Sequence, residues 1–154
     1  YIFDDTIKLN PPVQRKGQNN PMNQIILASH GKLAAGMKET VEFFGGSSIE
    51  ILEQTMTDSG FESRARALLE QYQDRNCVVF TDLMGGSVNQ IFFQLLRDLS
   101  FHLITGMNLA VVLECVFTQE EITSDFLRKA VESSKQQFGY MNDRFAVMAD
   151  DEEE

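Results

Sequence analysis

The sequence predicts an α/β fold, a doubly wound and mostly parallel sheet with helices on both faces. Three observations carry this expectation. Short continuous apolar runs at residues 24–28 (QIILA) and 77–80 (CVVF) read as strands covered on both sides. Segments with apolar residues every three or four positions follow those runs, and the two kinds of segment alternate along the chain. The 154 residues are 43% hydrophobic and include 12 Phe, enough apolar surface for one core and too much for a largely disordered chain.

Residues 1–21 stand apart, rich in Pro, Asn and Gln and without a helical or strand period. They read as a leader, vector-derived or natural, and are set aside from the fold argument. Met22 opens the patterned region, which is expected to form one domain over residues 22–149 before an acidic, solvated tail at 150–154. The first strand, residues 24–28, runs straight into Ser29-His30-Gly31. Leu33, Met37, Val41 and Phe44 then make a helical stripe that Gly45-Gly46 ends. Residues 48–53 (SIEILE) alternate apolar and polar as an edge strand does, and Phe61, Ala65, Leu68, Leu69 and Tyr72 mark a second helix.

The third strand ends in Thr81-Asp82-Leu83-Met84-Gly85-Gly86-Ser87. Behind it Val88, Ile91, Phe92, Leu95, Leu96 and Leu99 trace a third helix, and residues 101–105 a short fourth strand. Residues 108–117 (NLAVVLECVF) are ambiguous, β-branched like a strand yet long enough and rightly placed for a helix. Ser124 is expected to cap an amphipathic helix through Phe126, Ala130, Val131 and Phe138, and residues 144–148 (RFAVM) read as a closing strand.

Composition excludes several functions. A formal charge of −10, from 13 Lys and Arg against 23 Asp and Glu with no basic cluster, argues against nucleic acid as a partner, while partners with a basic face fit. Cys77 and Cys115 lie far apart without a CxxC or a His-rich neighbourhood, so neither a metal site nor a disulfide framework is signalled, and buried free thiols are expected. No apolar run approaches the roughly 18 residues of a membrane span and no signal-peptide order opens the chain. A cytoplasmic protein without a bound cofactor is the expectation.

In a doubly wound sheet, ligands sit beyond the carboxyl ends of the strands where the winding reverses. In the flavodoxin-like order 2-1-3-4, strands 1 and 3 are neighbours at that point. His30 and Asp82 therefore emerge side by side, next to a Gly85-Gly86-Ser87 loop that leads into a helix. Glycines there, with Gly31 after the histidine, allow close backbone approach, and a helix N-terminus offers N–H groups to an anion. An imidazole supplies an unprotonated nitrogen near neutral pH, and a carboxylate on one ring nitrogen fixes the tautomer so that the other presents its lone pair. Taken singly, each feature is more often structural; their convergence points to phosphoryl chemistry on His30. Nothing resembles a nucleotide-binding GxxxxGK[ST] loop. His102, inside the apolar FHLIT, reads as a packed or edge histidine.

The stretches ILASHGKLAAGMKET and FTDLMGGSVNQ resemble the two signature segments of enzyme IIA of the mannose/fructose/sorbose family of the phosphoenolpyruvate-dependent sugar phosphotransferase system. The resemblance covers Met22 to about Met148. It implies that His30 accepts the phosphoryl group, that Asp82 orients it, and that Ser87 stands near the phosphate beside Gly31, Gly85 and Gly86. It further implies that HPr is the donor, a IIB component the acceptor, and membrane IIC and IID components the indirect partners. Many members have proline after the loop serine, where this chain has Val88. The resemblance decides residues 108–117 as a helix. It also implies a homodimer that exchanges residues 144–148 as an antiparallel edge strand, a reading consistent with a run that lacks alternation. Two further readings share the fold: the phosphocarrier subunit of a phosphotransferase-dependent dihydroxyacetone kinase, and a non-catalytic regulatory module that binds an anion at His30.

Overall fold

A computed structural model of the chain describes residues 22–151, so the leader at 1–21 lies outside the described residues, as do 152–154 of the acidic tail. The elements, in order, are β1 (Asn23–His30), α1 (Leu33–Phe43), β2 (Ile49–Gln54), α2 (Phe61–Gln71), β3 (Asn76–Thr81) and α3 (Ser87–Leu95). After them come β4 (His102–Thr105), α4 (Leu109–Phe117), α5 (Ser124–Lys135) and α6 (Met141–Asp151). They group into two compact units that meet in sequence between Ile122 and Thr123.

In the first unit the four strands are all parallel in the expected order β2-β1-β3-β4. Parallel strands must be covered on both faces, which is why β1 and β3 are continuous apolar runs: Ile26, Leu27, Ala28, Val78, Val79 and Phe80 are fully buried. Alternation then divides the strand residues between the faces. Ile26, Ala28, Leu52, Cys77 and Val79 pack with Phe61, Ala65 and Leu69 of α2 and Val88, Phe92 and Leu95 of α3. The rings of Phe61 and Phe92 meet edge to face at 6.2 Å, and burying each contributes about 1.5–3 kcal/mol. Ile25, Leu27, Val78 and Phe80 point to the opposite face, where α1 lies on β1 and β2 and against α4. His102 is half-buried on β4, an edge strand, as its sequence context suggests.

The ambiguous segment is helix α4. Asn108 decides it: in extended conformation it accepts from the N–H groups of Ala110 and Val111 at 2.9 and 3.4 Å, meeting two of the donors that a helix start leaves free. Val111, Val112, Leu113 and Cys115 are then buried, so packing overrides the β preference of the valines.

The second unit departs from the sequence reading in two ways. Thr123, not Ser124, caps α5, its hydroxyl accepting from the Phe126 N–H at 3.2 Å, and the helix stops at Lys135, leaving Phe138 beyond it and exposed. Residues 144–148 are not a strand: they lie inside α6. Met141, Phe145 and Met148 recur at spacings of four and three, Asp143 sits in the first turn, and alanine and methionine are strong helix formers, so local propensity favours the helix. The expected antiparallel edge strand is therefore absent from the described residues. Asp150 and Asp151 of the acidic tail continue this helix. Among the described residues, no helix is long and apolar enough to cross a membrane.

The α4 assignment is checked by Asn108→Ala, which should lower stability by about 1 kcal/mol in urea unfolding. An unchanged midpoint would mean that the cap contributes nothing.

Candidate functional site

Strand alternation aims the two residues at the end of β1 in opposite directions. Ser29, fully buried, turns towards α1 and accepts the Ala34 N–H at 2.8 Å, a cap that α1 lacks from its own first residue. His30 turns the other way, towards the start of α3. The parallel register sets His30 beside Gln54 of β2, while β3 on the other flank delivers Asp82 one residue past its end.

Asp82 holds the histidine twice. Its Oδ2 accepts the backbone N–H of His30 and lies against ring Nδ1, both at 2.8 Å, and Oδ1 accepts the Leu83 N–H at 2.9 Å. Burial raises the Asp82 carboxyl, but the His30 backbone and ring, with the Leu83 N–H, outweigh it and hold the group below its ordinary value. An ionised carboxylate only accepts, so Nδ1 donates to Asp82 and Nε2 is turned to the opposite side of the ring. The imidazole is 44% exposed and the carboxylate 11%, so the ring is open to solvent while its partner is largely covered.

Nε2 faces the Ser87 hydroxyl at 2.9 Å, and that hydroxyl in turn donates to Gln54 Oε1 at 2.5 Å. Ser87 is the first residue of α3. Its N-cap, Gly86, is extended and offers no side chain, and the first turn closes with the Gln90 N–H on Gly86 O at 2.9 Å. The N–H groups of Ser87, Val88 and Asn89 are thus the unspent donors of the helix start, beside Nε2.

The expected site residues, His30, Gly31, Asp82, Gly85, Gly86 and Ser87, come together at the ends of β1 and β3 and the start of α3. The glycine N–H groups are taken: Gly31 by Gln54 O, Gly85 by Asn89 Oδ1 and Gly86 by Leu83 O, at 3.0–3.1 Å. The glycines supply shape. Gly31 and Gly85 have φ of 54° and 74°, and a Cβ on Gly86 would stand 3.2 Å from Cε1 of His30 and from Leu83 O. The N–H groups left without a backbone partner here are those at the start of α3.

Gln54, Asn89 and Gln90 were not apparent from motifs. The order 2-1-3-4 did place the end of β2 next to β1, and the residue ending an edge strand beside the histidine is the signal for Gln54. Asn89 bridges Gly85 N–H to Thr81 Oγ1, and Gln90 donates to Gly85 O at 2.7 Å, so side chains pin the loop. Cys77 and Cys115 are buried free thiols. Burial pushes both up, Cys115 to about 12, so neither is a thiolate nucleophile near neutral pH. Among the described residues, no group of three His, Cys, Asp or Glu could hold a metal ion.

A family model described as the fructose IIA component of the phosphotransferase system (EIIA-man) matches residues 24–132. The chain belongs to the mannose-family IIA components of this system. No curated protein matches the sequence. Among solved structures, a IIA protein associated with the fucose utilization operon of Streptococcus pneumoniae is 23% identical, with a TM-score of 0.70, over 80% of this chain and 96% of that one. A mannose/sorbose-specific IIA subunit from Enterococcus faecalis is 20% identical with a TM-score of 0.71, over 77% and 93%. A sigma-54 interaction domain protein from Enterococcus faecalis is 17% identical with a TM-score of 0.60, over 76% and 96%. These likenesses show the shared fold. As a IIA component, the chain has a phosphotransferase role in sugar transport, with HPr and a IIB component as the family's partners in general.

Two outcomes follow from this geometry. Stability from Asp82 is present above the ordinary carboxylate pKa of about 3.9 and is lost as pH falls through the lower folded value. Urea unfolding across the acid range should therefore show a shallower loss of stability in Asp82→Asn than in the parent chain. Gly86→Ala should displace the His30 ring, visible as a shift of its NMR resonances; unchanged resonances would show that the ring does not depend on this close approach.

Proposed function

We propose that this IIA component is a phosphohistidine carrier, taking a phosphoryl group from phospho-HPr on Nε2 of His30 and passing it to a IIB component. The observation that carries the reading is His30 held by Asp82 at Nδ1, with Nε2 turned to the Ser87 hydroxyl at the start of α3. The Nε2 lone pair forms the N–P bond as the bond from phosphorus to the donor atom breaks, its electron pair staying on the donor. Positive charge grows on the ring and the Asp82 carboxylate balances it, while α3 amides and the Ser87 hydroxyl face the equatorial oxygens. Transfer to IIB reverses these steps, and no metal or cofactor enters.

Gly31, Gly85, Gly86 and Ser87 line the phosphoryl position, and the membrane IIC and IID components lie downstream, as expected of a cytoplasmic carrier. Self-association belongs to the same reading: Phe138, Tyr140, Met141, Phe145, Val147 and Met148 of the second unit are exposed. A regulatory module is the second reading, favoured by the fold shared with the sigma-54 interaction domain protein. A dihydroxyacetone kinase subunit would differ in its acceptor.

Incubation with phosphoenolpyruvate, enzyme I and HPr separates carrier from module by mass. The chain should gain one acid-labile phosphoryl group, and His30→Ala should gain none. Asp82→Ala should stay folded and slow transfer by about 10²–10⁴, the range typical of losing a group that tunes proton position. Absence of the added mass in the parent chain would favour the regulatory module, and a fully phosphorylated His30→Ala would move the site elsewhere.

A further inference from the structure

Gln54 ends β2 with its backbone and side chain on different tasks. Its carbonyl accepts the Gly31 N–H at 3.0 Å and fixes the turn after the histidine; its amide meets the Ser87 hydroxyl at 2.5 Å. That hydroxyl has one proton and two neighbours, the amide and His30 Nε2 at 2.9 Å. The direction of the hydroxyl must therefore follow the state of the ring. If Nε2 carries a proton, it donates to Ser87 Oγ, and the hydroxyl donates to Gln54 Oε1. If Nε2 is bare, the hydroxyl donates to it, and Oγ is free to accept from the Gln54 NH₂. With a phosphoryl group on Nε2, the hydroxyl turns to a phosphoryl oxygen, and again the amide donates behind it. A primary amide meets all three states by a half-turn about its last bond, because it offers an acceptor and a donor of nearly the same shape. A carboxylate can only accept, and a hydrocarbon can do neither.

We propose that Gln54 is a positioning residue for transfer at His30, turning the Ser87 hydroxyl between the ring and the phosphoryl group by exchanging its amide oxygen and nitrogen. This rests on the carrier reading of His30. Gln54 acts through Ser87 and does not touch the reacting atoms. Its position on an edge strand, half-buried, leaves room for the amide to turn.

Two substitutions give opposite signatures. Gln54→Glu holds the Ser87 proton and favours a proton on Nε2, so the acid limb of the pH–rate profile for transfer from phospho-HPr should move to higher pH. Gln54→Leu leaves the hydroxyl no partner but Nε2, which favours the bare ring, so the limb should move to lower pH and the plateau rate should fall about tenfold. Added negative charge alone would shift the first variant and leave the second in place. The backbone bond to Gly31 survives both changes, and matched thermal midpoints confirm folding. ¹⁵N NMR of the His30 ring in the unphosphorylated chain reads the same opposite shifts without any transfer. If the parent chain gains no phosphoryl mass, the carrier reading fails, and the proposal with it, whatever the ring resonances do. If the parent is phosphorylated but both variants keep its pH profile and ring resonances, Gln54 has no positioning role and the carrier reading stands.

Discussion

One carboxylate oxygen organises the site. Asp82 Oδ2 receives both the backbone N–H and the ring Nδ1 of His30, each at 2.8 Å. A single acceptor shared by main chain and side chain ties the end of β1 and the rotation of the imidazole to the same carboxylate. This follows from β1 and β3 being parallel neighbours, with Ala28 paired to Thr81, two residues before His30 and one before Asp82. Everything else at the site is arranged around an Nε2 whose direction is already set.

The glycines show a division of labour that motif reading alone does not reveal. A Gly-Gly-Ser loop before a helix suggests backbone donors, and a loop with so little side chain would be floppy if its amides were free. Here the loop amides are spent on Leu83 O and Asn89 Oδ1, which makes the loop rigid, and the donors left for an anion belong to the helix that the loop starts. Glycine is required for room: at Gly86 a methyl group would push on the imidazole.

How far the sequence could be read depended on whether a feature was local and redundant. β1 and β3 declare themselves because full burial demands continuous apolar residues, and the parallel sheet follows from their alternation with helices. His30, Asp82 and Ser87 were legible because topology sends them to one place. Residues 108–117 were open to periodicity alone, since valine-rich apolar runs suit either a buried helix or a strand; the resemblance pointed to the helix that Asn108 caps. Residues 144–148 misled for the opposite reason: five residues show no alternation, but the stripe Met141, Phe145, Met148 appears once the window is widened to the turn before them. Gln54 escaped because an amide at the end of an edge strand belongs to no motif; only the register opposite His30 gives it meaning.

The chemistry of the donors bears on what a carrier must do. A phosphoryl group that is to be handed on cannot be held much more tightly in the carrier than in its partners, or transfer stops there. A guanidinium or ammonium against the phosphoryl oxygens would make charge-assisted hydrogen bonds, roughly twice as strong as neutral ones. The cation nearest His30 in sequence, Lys32, is committed to Glu53 at 2.8 Å on the surface. Among the described residues, the groups bonded in series from Nε2 are neutral: the Ser87 hydroxyl at the start of α3 and, behind it, the Gln54 side-chain amide. Neutral donors stabilise an anion without trapping it, and Asp82 lies against Nδ1, on the side of the ring away from Nε2, where under the proposed carrier reading it would steady the ring cation without facing the phosphoryl oxygens. For the proposed carrier, this makes the site a relay poised for release, with its acidity kept behind the ring.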